Sequence, residues 1–318
     1  MKKILISIKA FFFIFIVFSS LQAETTKIGV LIPLTGPFAK YGQRIQASVK
    51  EFKNENVKFI FEDEACDPKT AITSYKKLSE FDKTKLFIGP FCGSSQNAIA
   101  PLIKKNQHFG IIGSSASRNL YEISGKRMLS TMYSIEDEAT FLANEFNSQN
   151  IKTVSIVFAE NAFSRAHEAA FKEIFKGKVI NTYAFDEYHL SELKHIALKT
   201  KQQKPEALYV PDAFPLMTGL VKELNNLNLN NLKIFSVFSA ENQDIKNIIG
   251  ANKNVFYSYP NIGHNDALSY FPKVATRILV NSIKLCKDDT ICIINNLKNN
   301  NKFNNYGVLE GSIILKNI

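Results

Sequence analysis

Short apolar runs alternate along the chain with segments in which apolar residues recur every three or four positions. The runs have the length of buried strands, and the segments between them have the spacing of amphipathic helices. In the first half this pattern predicts strands at Lys27–Pro33, Val57–Phe61, Leu86–Ile88 and Phe109–Ile112, with helices at Tyr41–Phe52, Pro68–Leu78 and Ser95–Lys105. Asp67 is a predicted N-cap, because a proline follows it at the first helical position. The alternation predicts a mostly parallel sheet covered by helices on both faces.

The same order of elements begins again near Thr153. Strands are predicted at Thr153–Phe158, Val179–Ala184, Ala207–Val210 and Leu232–Phe238, with helices at Ser164–Phe175, Ser191–Lys199 and Pro215–Leu224. At an offset of 125 residues, Lys27 matches Lys152 before a strand and Phe38 matches Phe163 in the loop that leaves it. The repeated order predicts an α/β protein of two lobes with similar folds, whose ligand loops lie at the carboxyl ends of the strands.

The N-terminus has the pattern of a secretory signal peptide. Lys2 and Lys3 precede an apolar run from Ile4 to Phe18, and the small residue Ala23 ends the segment. A membrane anchor is the alternative, but the run is shorter than the roughly 20 residues that span a bilayer. We expect cleavage after Ala23 and export to the periplasm, without a lipid anchor because no cysteine stands at the cleavage point.

Composition excludes several classes of function. The formal charge of +10 falls to +7 once the three lysines of the signal peptide (Lys2, Lys3 and Lys9) are subtracted. The remaining lysines are spread along the chain without a basic stripe, so a nucleic-acid partner is not expected. The five histidines lack metal-ligand spacing, and the sequence has no nucleophile elbow and no glycine-rich phosphate loop. We therefore expect no enzyme activity, no cofactor and no metal.

Four cysteines in an exported chain suggest two disulfides, for which three pairings exist. Cys286 and Cys292 enclose five residues that have the character of a short loop between two helices. This spacing favours the pairs Cys66–Cys92 and Cys286–Cys292. Free thiols are the alternative.

Three segments rich in small and polar residues follow predicted strands. They are Ile28–Gly42 (IGVLIPLTGPFAKYG), Asp63–Ala71 (DEACDPKTA), and the pair Ile88–Ser95 (IGPFCGSS) and Ile111–Ser117 (IIGSSAS). Small residues let backbone N–H groups approach a ligand, and helix N-termini favour a carboxylate or another anion. The serines alternatively serve only as helix caps.

Together these segments resemble the type I periplasmic solute-binding proteins, in particular the leucine/isoleucine/valine-binding family that serves ABC importers. The resemblance is specific over about residues 27–120 and topological over the rest. It implies two Rossmann-like lobes joined by a three-crossing hinge, with crossings near residues 130–134, 257–261 and 304–311. The expected division is 1–23 signal peptide, 24–132 plus about 260–304 lobe 1, and 133–259 plus about 305–318 lobe 2.

The resemblance also implies roles for particular residues in the first lobe. Gly93 and Ser94 are expected to bind the ligand's carboxylate, and Tyr41 is expected to cover the ligand. A second loop is expected to hold the polar head of an amino acid; it comprises Ser115, Ala116 and Ser117. The family's cysteine pair matches Cys66 and Cys92, which supports that disulfide.

In the second lobe the sequence departs from the family pattern. Phe163 and Ser164 stand where relatives often have a Tyr-Gly pair, and Phe238 stands where many place the acid that holds the α-ammonium. Asp212 is the candidate replacement for that acid, with Glu241 a second possibility. The aromatic residues Phe163, Phe214 and Phe238 are either ligand contacts or core residues.

The expected function is that of an ABC importer's receptor for a branched-chain or related amino acid, or another small polar solute. It would act as a monomer, close about a hinge and hand its ligand to permease subunits in the membrane. A ligand sensor for a membrane signalling protein would have the same fold and cleft. An exported α/β hydrolase is the alternative from another class.

Overall fold

Two α/β lobes make up the computed structural model. It describes residues 25–52, 56–186, 191–212, 216–238, 247, 254–263 and 265–317, so the expected signal peptide lies outside the described residues. None of the described helices is both long and apolar enough to cross a bilayer.

The first sheet has five strands, and all of them are parallel. Its strands are β1 (Thr26–Ile32), β2 (Val57–Asp63), β3 (Leu86–Ile88), β4 (Phe109–Ile112) and β5 (Met128–Ser130), in the order β2-β1-β3-β4-β5. The helices that follow these strands are α1 (Ala39–Lys50), α2 (Pro68–Lys76) with a π-helical extension at Lys77–Phe81, α3 (Gly93–Asn106) and α4 (Asn119–Ile123).

The second sheet has six strands, and only the pairing of its last strand is antiparallel. Its strands are β6 (Thr153–Ala159), β7 (Lys178–Phe185), β8 (Ala207–Val210), β9 (Lys233–Ser236), β10 (Val255–Pro260) and β11 (Ile313–Asn317), in the order β11-β10-β9-β8-β6-β7. The remaining helices are α5 (Ile135–Ser148), α6 (Ala162–Ile174), α7 (Glu192–Gln203), α8 (Leu216–Asn226), α9 (Ala267–Cys286) and α10 (Thr290–Asn300).

The predicted fold class is confirmed, because two mostly parallel sheets flanked by helices form two lobes. Strands β3, β4 and β8 have the predicted bounds. Most other predicted ends are shifted by one to four residues. For example, the predicted strand to Phe238 stops at Ser236, and the helix that begins behind Asp67 changes to π-helical turns after Lys76. The Asp67 carboxylate accepts a hydrogen bond from Thr70 N at 2.8 Å, as an N-cap does.

Within the described residues the chain passes between the sheets at three places. It leaves the first sheet after β5, returns from β10 through α9, which packs in the core of the first lobe, and crosses again between α10 and β11. Ser130 and Val308 form a bridge between two of these crossings. The lobe boundaries expected from the sequence stay a prediction.

Both disulfides favoured by the sequence are present in the structure. The Cα atoms are 5.2 Å apart in Cys66–Cys92 and 5.5 Å apart in Cys286–Cys292. The first joins the loop after β2 to the residue before α3. The second closes the turn between α9 and α10.

Candidate functional site

A cavity of about 110 Å³ lies between the two lobes, where the carboxyl ends of both sets of parallel strands meet. In each sheet the strand order reverses at β1 or β6, the second strand from one edge, and open α/β sheets bind ligands at such a reversal. The cleft is lined by Phe38, Tyr41, Cys66, Phe91, Cys92, Gly93, Ser94, Ser114, Ser115, Asn161, Phe163, Asp212, Phe238 and Leu268.

Two aromatic side chains from the loop and helix after β1 form one wall of the cleft. The ring centroids of Phe38 and Tyr41 are 6.1 Å apart, and Phe91 lies 6.4 Å from Tyr41. A Cβ added at Gly42 would lie only 1.7 Å from the carbonyl oxygen of Pro33. Glycine at this position therefore allows α1 to pack against the preceding loop, and this packing positions Tyr41.

A buried carboxylate holds the loop between β3 and α3 in place. Glu64 Oε1 accepts hydrogen bonds from the backbone N–H groups of Phe91 at 2.9 Å and Cys92 at 3.0 Å. Burial raises the pKa of Glu64 to about 7, although those hydrogen bonds act in the opposite direction. Ser94 Oγ donates to the carbonyl of Cys66 at 3.1 Å. The disulfide, the carboxylate and this hydroxyl together hold the first turn of α3 at the cleft.

The loop after β4 contributes two serines with different surroundings. Ser114 Oγ donates to the carbonyl of Phe91 at 2.9 Å and accepts from Gln96 Nε2 at 3.2 Å. Ser115 is 4% exposed, and its hydroxyl has no hydrogen-bond partner among the described residues. Buried hydroxyls normally have a partner, so an unpaired one that lines a cleft is a candidate ligand contact.

The next two residues lie away from the cleft. Ala116 packs in the apolar core of the first lobe, and Ser117 Oγ donates to Glu136 at 2.9 Å. The structure does not bring these two predicted residues to the cleft lining. The chain turns toward α4 after Ser115, so only the first part of the predicted loop faces the second lobe.

The second lobe supplies a carboxylate and two aromatic rings. Asp212 follows β8 and accepts a hydrogen bond from Ser164 Oγ at 3.1 Å. Among the described lining residues it is the only one with an acidic or basic side chain. Phe163 lies 3.7 Å from the position of a Cβ added at Gly93. The lobes therefore contact each other directly beside the cavity.

Behind these residues lies a buried polar network on Glu138, which is fully buried. Its Oε1 accepts from Tyr133 Oη at 3.1 Å, from the backbone N–H of Phe238 at 2.9 Å and from Ser258 Oγ at 2.5 Å. Burial, and next the Glu138 charge, raise the pKa of Tyr133 well above its ordinary value. Glu138 therefore holds in place the segment that follows β9 and contains Phe238.

The same network reaches Phe163 through a buried histidine. Glu138 Oε2 lies 3.3 Å from His167 Nε2, within ion-pair range but outside hydrogen-bond geometry. The other ring nitrogen of His167 is 3.0 Å from Tyr209 Oη, and its ring centroid is 4.6 Å from that of Phe163. Two cleft residues of the second lobe thus depend on one buried cluster.

Among the described residues, one group of potential metal ligands has its ligand atoms within 4.8 Å of one another: Glu64, Cys66 and Cys92. Both cysteines are in a disulfide and offer no thiolate, and thiolates are the ligating form of cysteine. This cluster therefore has the chemistry of a structural anchor.

Seven of the lining residues are among the ligand contacts predicted from the sequence, and the other lining residues are not. Asn161 and Phe91 belong to strand-end loops, so their positions carried a signal. Leu268 comes from α9, more than 150 positions after Ser115, the preceding first-lobe residue of the lining, and no local pattern indicates it. Phe214 and Glu241 lie outside the described residues.

Comparison with known proteins places the chain among receptors of this architecture. A family model described as "Periplasmic binding protein" matches residues 25–269. A leucine-, isoleucine-, valine-, threonine- and alanine-binding protein of Pseudomonas aeruginosa is 21% identical over 227 residues, which is 66% of this chain and 60% of the relative. The Leu/Ile/Val-binding protein BraC3 of Rhizobium johnstonii is 23% identical over 227 residues, 67% of this chain and 61% of the relative. The alignments therefore span about 60% of the length of these curated relatives.

Solved structures agree in fold. A leucine-binding protein LivK from Thermotoga maritima superposes with a TM-score of 0.82 at 17% identity, covering 92% of this chain and 95% of that one. An ABC-transporter solute-binding protein from Rhodopseudomonas palustris, solved with 3,4-dihydroxybenzoic acid, gives 0.81 at 17% identity, covering 92% and 93%. The family model spans well over half of the chain, and we conclude that this chain belongs to the periplasmic binding protein family.

Proposed function

We propose that the chain is the periplasmic receptor of an ABC importer and that it binds an apolar α-amino acid between its lobes. The observation that carries this proposal is the pair of polar groups on opposite sides of the cleft. Ser115 offers a buried, unpaired hydroxyl on the first lobe, and Asp212 offers a carboxylate on the second.

The first-lobe side suits the carboxylate of an amino acid. The cleft includes Gly93 and Ser94, the first residues of α3, whose backbone N–H groups have no helical partner. The helix dipole favours an anion at this end. The hydroxyl of Ser115 adds a donor in the same cavity.

The second-lobe side suits an ammonium group. Asp212 is partly buried, and none of the other lining residues that the structure describes carries an acidic or basic side chain. A ligand ammonium beside it would form a charge-assisted hydrogen bond, which is stronger than one between neutral groups. The other walls are largely aromatic, with Phe38, Phe91 and Phe238 among them, so the ligand's side chain is expected to be apolar.

The ligands named for relatives point to two chemical classes. Amino acids are named for the Pseudomonas and Rhizobium proteins, and aromatic acids for several Rhodopseudomonas structures. An aromatic acid would use the carboxylate side but carries no ammonium group to place beside Asp212. We therefore favour the amino acid.

Ligand binding is expected to act through the contact between the lobes. The second lobe already meets the first at Phe163 and Gly93, so a ligand that touches both sides stabilises this arrangement by its greater affinity for it. The permease would then recognise the joined surfaces. The described part of the cleft lining contains no histidine and no lysine, so it offers Ser115 no base for hydrolysis.

Calorimetric titration of the exported protein tests the proposal. Leucine, isoleucine and phenylalanine are compared with benzoate and 4-hydroxybenzoate. We expect binding of the amino acids, and a loss of at least tenfold in affinity for Asp212→Asn, about 1.5–3 kcal/mol for a hydrogen bond to a charged group. Glu223→Gln, on α8 of the same lobe, is the control and should leave affinity unchanged. Binding of benzoate without any amino acid would reject the proposed ligand class.

A further inference from the structure

A second crevice, of about 380 Å³, lies at the opposite end of the first lobe, where β1 and β3 begin. We call this end the N-terminal pole. The crevice is lined by Thr25, Thr26, Lys27, Asn56, Val57, Asp82, Lys83, Lys85, Val280, Ile283, Lys284, Lys287 and Asp288. The solute cleft lies at the other ends of the same strands, so the two sites are separate.

The crevice is strongly basic. Five of its lining residues are lysines and two are aspartates, a formal balance of +3. One of the aspartates is already engaged, because Asp288 pairs with Lys85 at 2.9 Å. Lys27 Nζ donates to the backbone carbonyl of Asp82 at 2.9 Å. All five lysines are exposed. The fold thus gathers lysines that are far apart in the sequence into one cationic surface.

Exposed apolar side chains lie at the same pole, two of them next in sequence to residues that line the crevice. Phe81 is 81% exposed beside Asp82, and Leu285 is 76% exposed beside Lys284. Ile291 is 58% exposed in the first turn of α10, and the preceding Thr290 Oγ1 donates to the carbonyl of Gln107, two residues before β4. These are three of the five large apolar side chains that are exposed among the described residues. Their gathering at one pole is not expected of a surface that faces only water.

Lysines combined with protruding apolar side chains have the chemistry of a surface that binds anionic membranes. Lysines near the bilayer are attracted to anionic headgroups, and apolar side chains enter the boundary between headgroups and acyl chains. Thr25 lines the crevice, so the segment with the apolar run Ile4–Phe18 joins the described part of the chain at this pole. During the expected export, the N-terminal pole is therefore the part of the folded protein that is attached to the membrane-inserted segment.

We propose that the N-terminal pole is a reversible docking surface for an anionic phospholipid bilayer. Lys83, Lys284 and Lys287 supply the electrostatic attraction, while Phe81 and Leu285 enter the interface. Docked in this way, the protein is held at the membrane with the solute cleft at the far end of the first lobe. The proposal does not depend on which solute the cleft binds.

Co-sedimentation with vesicles tests the proposal on protein purified after export, with its N-terminus checked by mass spectrometry. One vesicle set is phosphatidylcholine, and the other also contains phosphatidylglycerol. We expect binding to the anionic vesicles only, and release by added salt. Two sets of substitutions, Lys83→Gln with Lys284→Gln and Lys287→Gln, and Phe81→Ser with Leu285→Ser, should each lower the vesicle partition coefficient at least tenfold.

A matched variant on the second lobe serves as the control. Lys194→Gln, Lys201→Gln and Lys222→Gln remove three exposed lysines, and Leu198→Ser removes a side chain that is 40% exposed. This variant should bind anionic vesicles as the wild type does. Equal loss in both variants would indicate a general effect of net charge and overturn the proposal. Loss with the lysine variant but none with Phe81→Ser and Leu285→Ser would also overturn it, since a soluble polyanion would then explain the surface.

Discussion

The two faces of the solute cleft occupy equivalent places in the two lobes but differ in chemistry. Both are built mainly from segments that follow parallel strands, β1 to β4 in the first lobe and β6, β8 and β9 in the second. The first-lobe face offers neutral donors, namely serine hydroxyls and the first N–H groups of α3. The second-lobe face offers the charge of Asp212 and the rings of Phe163 and Phe238. Duplicated architecture therefore fixes where a ligand lies, and the loops decide which end of the ligand each lobe binds.

The faces also differ in how they are held in place. The first is anchored close to the cleft by the Cys66–Cys92 disulfide and by Glu64. The second is held from its core by the Glu138 network. Substitutions in the first anchor should therefore weaken mainly solute binding at the cleft. Substitutions in the Glu138 network should destabilise the whole second lobe.

The largest expected effect is that of Glu138→Ala. It leaves the partners of a fully buried carboxylate unpaired, including the N–H of Phe238, so we expect a loss of about 3–5 kcal/mol in the free energy of unfolding. Urea titration measures it. Glu145→Ala on the same helix should change stability by less than about 0.5 kcal/mol. A similar small change for Glu138→Ala would show that the network does not support the second lobe.

The next effect contrasts the two disulfides of the chain. Cys66 and Cys92 are 26 positions apart, and Cys286 and Cys292 are 6 apart. Their replacement by alanine pairs should cost about 3.5 kcal/mol and about 2 kcal/mol, because a longer closed loop restricts the unfolded chain more. Calorimetric titration should show weaker solute binding only for the first pair. Equal solute affinity in both variants would show that the Cys66–Cys92 disulfide does not support the cleft.

A pH series tests the role of Glu64. Its pKa is raised from 4.5 to about 7, so the folded state binds the proton more tightly than the unfolded state. Its contribution to stability is therefore fully present below about pH 4.5 and lost as the pH rises through 7, about 3 kcal/mol in all. In Glu64→Gln this contribution should be independent of pH. If the difference in unfolding free energy between the two proteins stays constant across this range, the assignment is wrong.

The smallest expected effect is that of Ser115→Ala. Its hydroxyl has no partner in the described part of the chain, so we expect no loss of stability, while solute affinity falls by about 0.5–1.5 kcal/mol. Ser155→Ala is the matched control, since Ser155 also has a buried, unpaired hydroxyl but lies on β6 away from the cleft lining. Weaker binding in both variants would mean that the effect is not local to the cleft.

The sequence predicts much of the fold because each buried strand is a compact apolar run. β3, β4 and β8 have their predicted bounds, since all their residues are buried between helix layers. In the last 80 residues the sequence predicts only the two helices on either side of the Cys286–Cys292 loop, without bounds, and no strand. Their elements are completed by distant partners: α9 packs in the core of the first lobe, and β11 pairs antiparallel with β10.

The cleft was predictable where its residues follow strands directly. Tyr41, Gly93, Ser94 and Ser115 lie in such loops, and they line the cavity. Ala116 and Ser117 follow one or two positions later, where the backbone has already turned away. Leu268 and the supporting Glu138 come from helices whose positions are set by tertiary packing. Local sequence does not reveal them.

Tyr41 follows a first-lobe strand, yet its ring is packed in the apolar cluster of the second lobe and is 7% exposed. Separation of the lobes would bring this phenol into water. The chain has eleven tyrosines and no tryptophan, so its near-ultraviolet emission arises from phenols without a brighter indole. A change of tyrosine emission on solute addition that disappears in Tyr41→Phe would make this ring an intrinsic optical reporter of lobe movement.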